Sequence, residues 1–293
     1  MSRRLTIVQP EIYKLFKTGS RTYFNSTIFF PRDVRADVFR LYAFLRKADN
    51  YVDSIPQDAD GFYNFKHEYE KAASGYETSD LVIREFVSLA ERKKFEPEWI
   101  DAFLHAMESD LYHKTYNTLE ELYGYMYGSA EVVGLFMAKI LDLPEESFIY
   151  ARFLGRAMQY INFIRDVRED FMLGRQYLPL NEMQEYNIKS FDPYEMCDKV
   201  ANFTAFLRRQ IRRYFEWQNF AERGYRYIPY RYLIPIKTAA DMYKWTARII
   251  YRAPYITFLK KIKPSRKRII FNASTNFIRV IRFKAPLGGI PWE

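Results

Sequence analysis

Glycine is scarce in this chain, and cysteine and histidine are nearly missing. Of 293 residues, 11 are glycine, one is cysteine and three are histidine. The glycines form no GxGxxG, GK[S/T] or GxSxG pattern, which argues against nucleotide-binding loops and the hydrolase elbow. The single Cys197 excludes an internal disulfide and any cysteine-based zinc site, and it suits a cytoplasmic protein. His67, His105 and His113 are too scattered for a zinc triad and read as ordinary core or surface residues. No uncharged apolar run reaches the roughly 18 residues that a membrane-spanning helix needs. The nearest, Leu122 to Ala138, carries Glu131. Arg3 and Arg4 precede only a brief apolar run before Pro10, which is not a signal peptide. Sustained strand alternation, repeats, low-complexity tracts and linkers are also missing.

Apolar residues make up 48%, enough for a sizeable core. Aromatics are abundant, with 25 Tyr and 25 Phe. Such rings pack a core well, and they also wall a deep apolar pocket that suits a long hydrocarbon. The net charge is +9. The basic excess gathers late, at Lys260, Lys261, Lys263, Arg266, Lys267, Arg268, Arg279, Arg282 and Lys284. Nucleic acid, an anionic membrane or an anionic substrate would each be drawn to it. The charge lies outside any nucleic-acid-binding motif, so no nucleic-acid partner is expected. Peripheral attachment to anionic lipid, at the inner face of the membrane, is the expectation for the tail.

Apolar spacing predicts helices at 10–18, from Pro31 to Asp53, 61–74, 80–94, from Glu96 to about Tyr112, and from the capping box Thr118-Leu-Glu-Glu121 to Leu141. A long helix from Pro144 toward Gly174 follows, then helices at 193–222, 229–252 and 272–282. Gly124, Gly128 and Gly134 interrupt one of them and mark a bend, a close approach by a ligand, or plain close packing. The fold expected is one all-α domain over residues 1–293, its helices surrounding a central cavity, with 1–14 and 270–293 as peripheral tails.

Two stretches organise it. Tyr42, Arg46, Asp49 and Asp53 fall at offsets 0, 4, 7 and 11; Gln159, Asn162, Asp166 and Asp170 fall at 0, 3, 7 and 11. On helices, each set shares one face and ends in two carboxylates a turn apart. Like charges at that spacing repel, and a divalent cation removes the repulsion. Magnesium takes hard oxygen ligands, usually one or two carboxylates together with substrate phosphates. Two such ridges facing across a cleft would hold ions around a diphosphate. The plainer reading makes them solvated faces paired with Arg46, Lys47, Arg165 and Arg168. Ser20 or Thr22 could cap a helix start, where free N–H groups also receive phosphate. The loop Gly174-Arg-Gln-Tyr-Leu-Pro179 could fold over a diphosphate as a lid.

With these residues in view, the chain resembles the squalene/phytoene synthase family of head-to-head prenyltransferases. The likeness runs from about residue 15 to 268. Its carriers are Ser20-Arg-Thr-Tyr23, Leu41 to Asp53, Tyr125-Met-Tyr-Gly-Ser-Ala-Glu-Val-Val-Gly134, Gln159 to Asp170, and Gly174 to Pro179. The resemblance implies an all-α isoprenoid-synthase-type bundle that condenses two prenyl diphosphates with Mg2+, or Mn2+ in its place. It implies Asp49, Asp53, Asn162, Asp166 and Asp170 as metal ligands. Gly19, Ser20, Arg21, Thr22, Tyr42, Arg46, Gln159, Arg165 and Tyr243 are implied as diphosphate contacts. Tyr127, Arg175 and Tyr177 are implied as assisting ionisation or closing the site. The expected product is phytoene from two geranylgeranyl diphosphates without NADPH. The alternatives are squalene or dehydrosqualene from two farnesyl diphosphates, and a non-catalytic binding protein of the same fold. Asn50 stands where many relatives carry a third aspartate, and Glu131 replaces a small residue. A glutamate inside an apolar tunnel is costly unless paired, so it should face a helix neighbour or the polar end.

Overall fold

A computed structural model describes residues 8–19, 21–112 and 115–284 of the chain. The helices are α1 (Pro10–Gly19), α2 (Arg21–Thr27), α3 (Arg32–Asp53), α4 (Ala59–Ala73), α5 (Leu81–Lys93) and α6 (Pro97–Ser109). Next come α7 (Leu119–Met126), a π-helical turn (Tyr127–Glu131), α8 (Val132–Ile140), α9 (Phe148–Arg165) and α10 (Val167–Met172). The series ends with α11 (Leu180–Glu185), α12 (Pro193–Asp198), α13 (Val200–Glu222), α14 (Tyr230–Arg252), α15 (Ile256–Leu259) and α16 (Arg266–Lys284). Among the described residues there is no strand, only an isolated bridge between Thr115 and Gln176. The all-α bundle expected from the apolar spacing is what forms.

Local chemistry starts these helices where the sequence says it should. Asp80 Oδ1 accepts from the Val82 and Ile83 amides, and Asp58 accepts from Gly61 N–H. Thr118 Oγ1 accepts from Glu121 N–H at 3.2 Å. The return bond of the capping box goes one residue further back: Glu121 accepts from Asn117 N–H at 2.6 Å. On α3, Val34, Val38, Leu41 and Ala48 are buried as the spacing predicts.

Two predicted helices are broken, at three places. Glu145–Ser147 is a 3-10 turn before α9, Asp166 separates α9 from α10, and Lys199 separates α12 from α13. Aspartate weakens a helix interior because its short carboxylate competes for backbone and local donors. Here Asp166 takes both bonds of the preceding Arg165 guanidinium. The residues expected as tails are partly packed: Ile12 is 1% exposed and Ala273 2%.

The other departure is the π turn between α7 and α8. Its glycine and the glycine of the facing helix explain it. A Cβ on Gly128 would overlap the Ala102 carbonyl of α6, and one on Gly155 of α9 would overlap the Ala130 carbonyl inside the turn. One on Gly134 would overlap the Ala151 carbonyl. Backbones touch where side chains would otherwise stand, so plain close packing accounts for Gly128 and Gly134. Gly124, by contrast, is exposed and a Cβ there meets nothing. Gly128→Ala or Gly155→Ala should therefore destabilise the fold by about 2 kcal/mol through overpacking. Gly124→Ala should stabilise it by up to about 1 kcal/mol. Urea unfolding of the three variants tests this; equal effects at all three positions would contradict the packing.

Helix α9 runs through the middle, against α8 and the π turn on one side and α13 and α14 on the other, while α3 packs on α1, α5 and α6. Between these elements lies a cavity of about 340 Å³.

Candidate active site

The cavity has one polar end. Tyr42, Arg46 and Asp49 of α3 line it there, together with Gln159 and Asn162 of α9. Leu41, Leu45, Met107, Met137, Leu141 and Ile236 line the rest. The first members of each stripe face the same space, whereas Asp53, Asp166 and Asp170 are not among the residues that line it.

Asp53 and Asp170 stand a turn beyond. Arg175 ties the two ridges together. Its guanidinium donates to Asp53 Oδ1 at 2.6 Å and to the Val52 carbonyl at 2.5 Å, and its own N–H donates to the Asp170 carbonyl at 2.8 Å. Arg46 pairs with Asp49. Arg165 grips Asp166 with two bonds at 2.7 and 2.5 Å, and Lys261 reaches Asp166 at 3.2 Å and pairs with Glu169. Arg168 turns away and donates to the Phe258 carbonyl. The solvated-face reading is half right about these partners: Arg46 and Arg165 do pair with the stripe, each with an aspartate close by on its own segment.

Positive charge is still short there. Burial, followed by the charge of Asp53, pushes the Asp49 carboxyl up to about 7. Its side chain keeps 31% exposure because it opens on the cavity, while surrounding protein shields it from bulk water. Burial and then Asp166 push Asp170 up to about 8. Asn162 Oδ1 is buried without a hydrogen-bond partner among the described residues. Paired carboxylates that resist ionising, beside a vacant amide oxygen, are the hard-oxygen set a divalent cation satisfies. Among the described residues, no three acidic, histidine or cysteine side chains already converge on a single point. The ridge oxygens are turned to the arginines and lysine instead, so the fit lies in donor chemistry and placement.

The remaining expected residues divide. Tyr243 is 5% exposed and acts electrostatically on both Tyr42 and Arg165. Ser20 lies outside the described residues, as do the side chains of Arg21 and Thr22 and the surroundings of Gly19. Asn50 is exposed. Tyr127 is not brought to the cavity; its ring sits under the Arg152 guanidinium, 5.2 Å away. Tyr125 lines the cavity instead and donates to Asp110 at 2.7 Å. Tyr127 is implied by the family resemblance, and spacing does not choose between the two tyrosines. Tyr177 is buried beside the cavity, stacked on Phe163 at 4.3 Å, and it also donates to Asp110, at 3.1 Å. Burial lifts Asp110 to about 6 despite these bonds and the nearby Arg175. Spacing gave no hint of Asp110 or Lys261, since neither sits on a periodic polar stripe.

The stretch from Gly174 to Pro179 is packed down rather than open. Arg175, Gln176, Tyr177 and Leu178 are all buried, and Arg175 pins the stretch to α3. It braces the ridges from below. Glu131 is paired as its burial required, accepting from Arg152 at 2.9 Å and Arg156 at 2.6 Å.

Comparison with known proteins agrees with this geometry. A sequence model described as squalene/phytoene synthase matches residues 16–268. A 15-cis-phytoene synthase of Synechococcus elongatus is 26% identical over 261 residues, covering 83% of each chain. A 4,4'-diapophytoene synthase of Staphylococcus haemolyticus is 25% identical over 197 residues, covering 65% of this chain and 69% of the relative. A crystal structure of a dehydrosqualene synthase in complex with ligand superposes with a TM-score of 0.84 at 21% identity, over 92% of this chain and 95% of the other. With Asp49 at the polar end of an apolar cavity and the family pattern spanning nearly the whole sequence, this chain belongs to the squalene/phytoene synthase family, whose members join prenyl diphosphates head to head.

Proposed function

We propose that this chain is a prenyltransferase that joins two geranylgeranyl diphosphates into phytoene through a cyclopropyl diphosphate, with Mg2+ and without NADPH. The observation that carries the reading is a cavity with Arg46 and Asp49 at one end and a largely apolar interior.

Asp49, Asp53, Asn162, Asp166 and Asp170 would hold the metal; Mn2+ is the substitute. When bound, it would neutralise the leaving diphosphate. Arg46, paired with Asp49, and Arg165 and Lys261, both paired with Asp166, would supply positive charge to that group. Tyr42 and Gln159 line the route from mouth to interior and orient the chain. The allylic cation left behind must not meet water. Leu41, Leu45, Met107 and Met158 exclude it, and aromatic faces such as Tyr125 stabilise positive charge. Burial and the Asp110 charge hold the Tyr125 phenol well above its ordinary range, so it stays protonated and offers its ring rather than acting as a base.

The second reading keeps the chemistry and shortens the substrate: two farnesyl diphosphates giving squalene or dehydrosqualene. The fold match to a dehydrosqualene synthase favours it. A non-catalytic role would leave four repelling carboxylates without a purpose. Incubation with Mg2+ and labelled geranylgeranyl diphosphate, without NADPH, should release a C40 hydrocarbon, and chelation should stop it. Turnover of farnesyl diphosphate alone would move the assignment to the second reading. Turnover of neither would return the chain to a binding role.

A further inference from the structure

Helix α16 is held by one face only. Ile269, Ala273 and Asn276, about a turn apart, are buried where the helix packs on α14 and α2. On its outer arc Ile270, Phe271, Phe277 and Ile278 are exposed, Phe271 at 72%. Large apolar side chains gathered on an outer helix face signal something that covers them. Arg266, Lys267 and Arg268 open the same helix and are exposed. The sequence from Met242 to Trp292 contains no Asp or Glu, while Lys and Arg recur along it.

Beside α16 a surface groove runs along α14 and the turn after α2. Phe29, Phe30, Pro31, Tyr230, Phe277 and Ile278 line it. Phe30 also lines the internal cavity. The outer apolar face of α16 therefore continues inward to a wall of the chamber.

We propose that this face of α16 docks on an anionic lipid bilayer, its phenylalanine and isoleucine side chains entering the acyl boundary and its cations meeting headgroup phosphates. Charge decides the occupant. A second copy of the chain would set the same acid-free basic segment against itself, whereas headgroup phosphates complement it. A helix with an apolar arc and flanking arginines and lysines lies flat in that interface. Among the described residues, no helix is long and apolar enough to cross a membrane, so the contact is lateral.

Sedimentation of the full chain with vesicles tests the proposal. Phosphatidylglycerol–phosphatidylcholine vesicles should carry the protein down, and high salt should release it. Arg266→Gln with Lys267→Gln should weaken partitioning about 25-fold, at about fivefold per charge. Phe271→Ser should weaken it about tenfold or more and leave turnover in detergent unchanged. Its side chain is mostly in solvent, so the variant folds, and circular dichroism checks that. Equal binding to pure phosphatidylcholine would overturn the charge argument. Binding to neither vesicle would overturn the docking. A concentration-dependent dimer that Phe271→Ser dissolves would assign the face to a second copy instead.

Discussion

Asp49→Ala and Asp166→Ala should each lower turnover by about a thousandfold or more while helicity is kept. Neutralising the leaving diphosphate through a metal ion is worth several kcal/mol of barrier, and about 4 kcal/mol is a thousandfold. Each variant removes one proposed ligand from one stripe. Asn50→Ala, next to Asp49 but exposed, is the control and should stay near the parental rate. Stability should move the other way. The Asp49 carboxyl titrates near 7 when folded, above the usual carboxylate value. A group with a raised folded pKa favours the folded state most when protonated, and that advantage is lost as pH climbs toward the folded value. Asp49→Asn carries no such charge, so at pH 8 it should melt no lower than the parent. Rates near parental in either alanine variant would remove the metal-binding role. A lowered melting temperature for Asp49→Asn at pH 8 would make the carboxylate a structural anchor.

Glu131→Leu should cost about 3–5 kcal/mol, as removal of one member of a buried ion network does. Glu131 is 1% exposed and satisfies two guanidiniums at once. Arg156 is further enclosed by Phe153, 4.5 Å away, and Tyr123, 4.6 Å away, so it cannot simply swing into water. The triple change Glu131→Leu, Arg152→Met and Arg156→Met removes all three charges and should recover most of the loss. Denaturant titration of the single and triple variants decides it. A single variant within about 1 kcal/mol of the parent would show that the network relaxes without its carboxylate.

Much of this was legible in the residues themselves. Offsets of 0, 4, 7 and 11 put Tyr42, Arg46 and Asp49 on one stripe because α3 is regular there, with no proline or glycine to disturb it. Glu131 was legible as an oddity: a charge in an apolar run must find partners. What escaped is what a fixed period cannot express. Tyr127 comes from the family resemblance, whereas Tyr125 is the tyrosine that lines the cavity. The stretch around Arg175 has the polar, glycine-led composition of a mobile loop. Its burial comes from long-range bonds to Asp53 and Val52, more than a hundred positions away in sequence. Asp110 and Lys261 are brought in by tertiary packing alone.

The bare backbone contacts at Gly128, Gly134 and Gly155 have one more consequence. Gly134 and Gly155 line the chamber, so part of its wall is main chain packed directly on the facing helix, which no ordinary substitution can pare back. Met137, Leu141 and Ile236 instead reach the chamber with side chains that can be trimmed or enlarged. Under the proposed function, variation at those three positions would alter the room for a hydrocarbon while leaving the helix contacts intact.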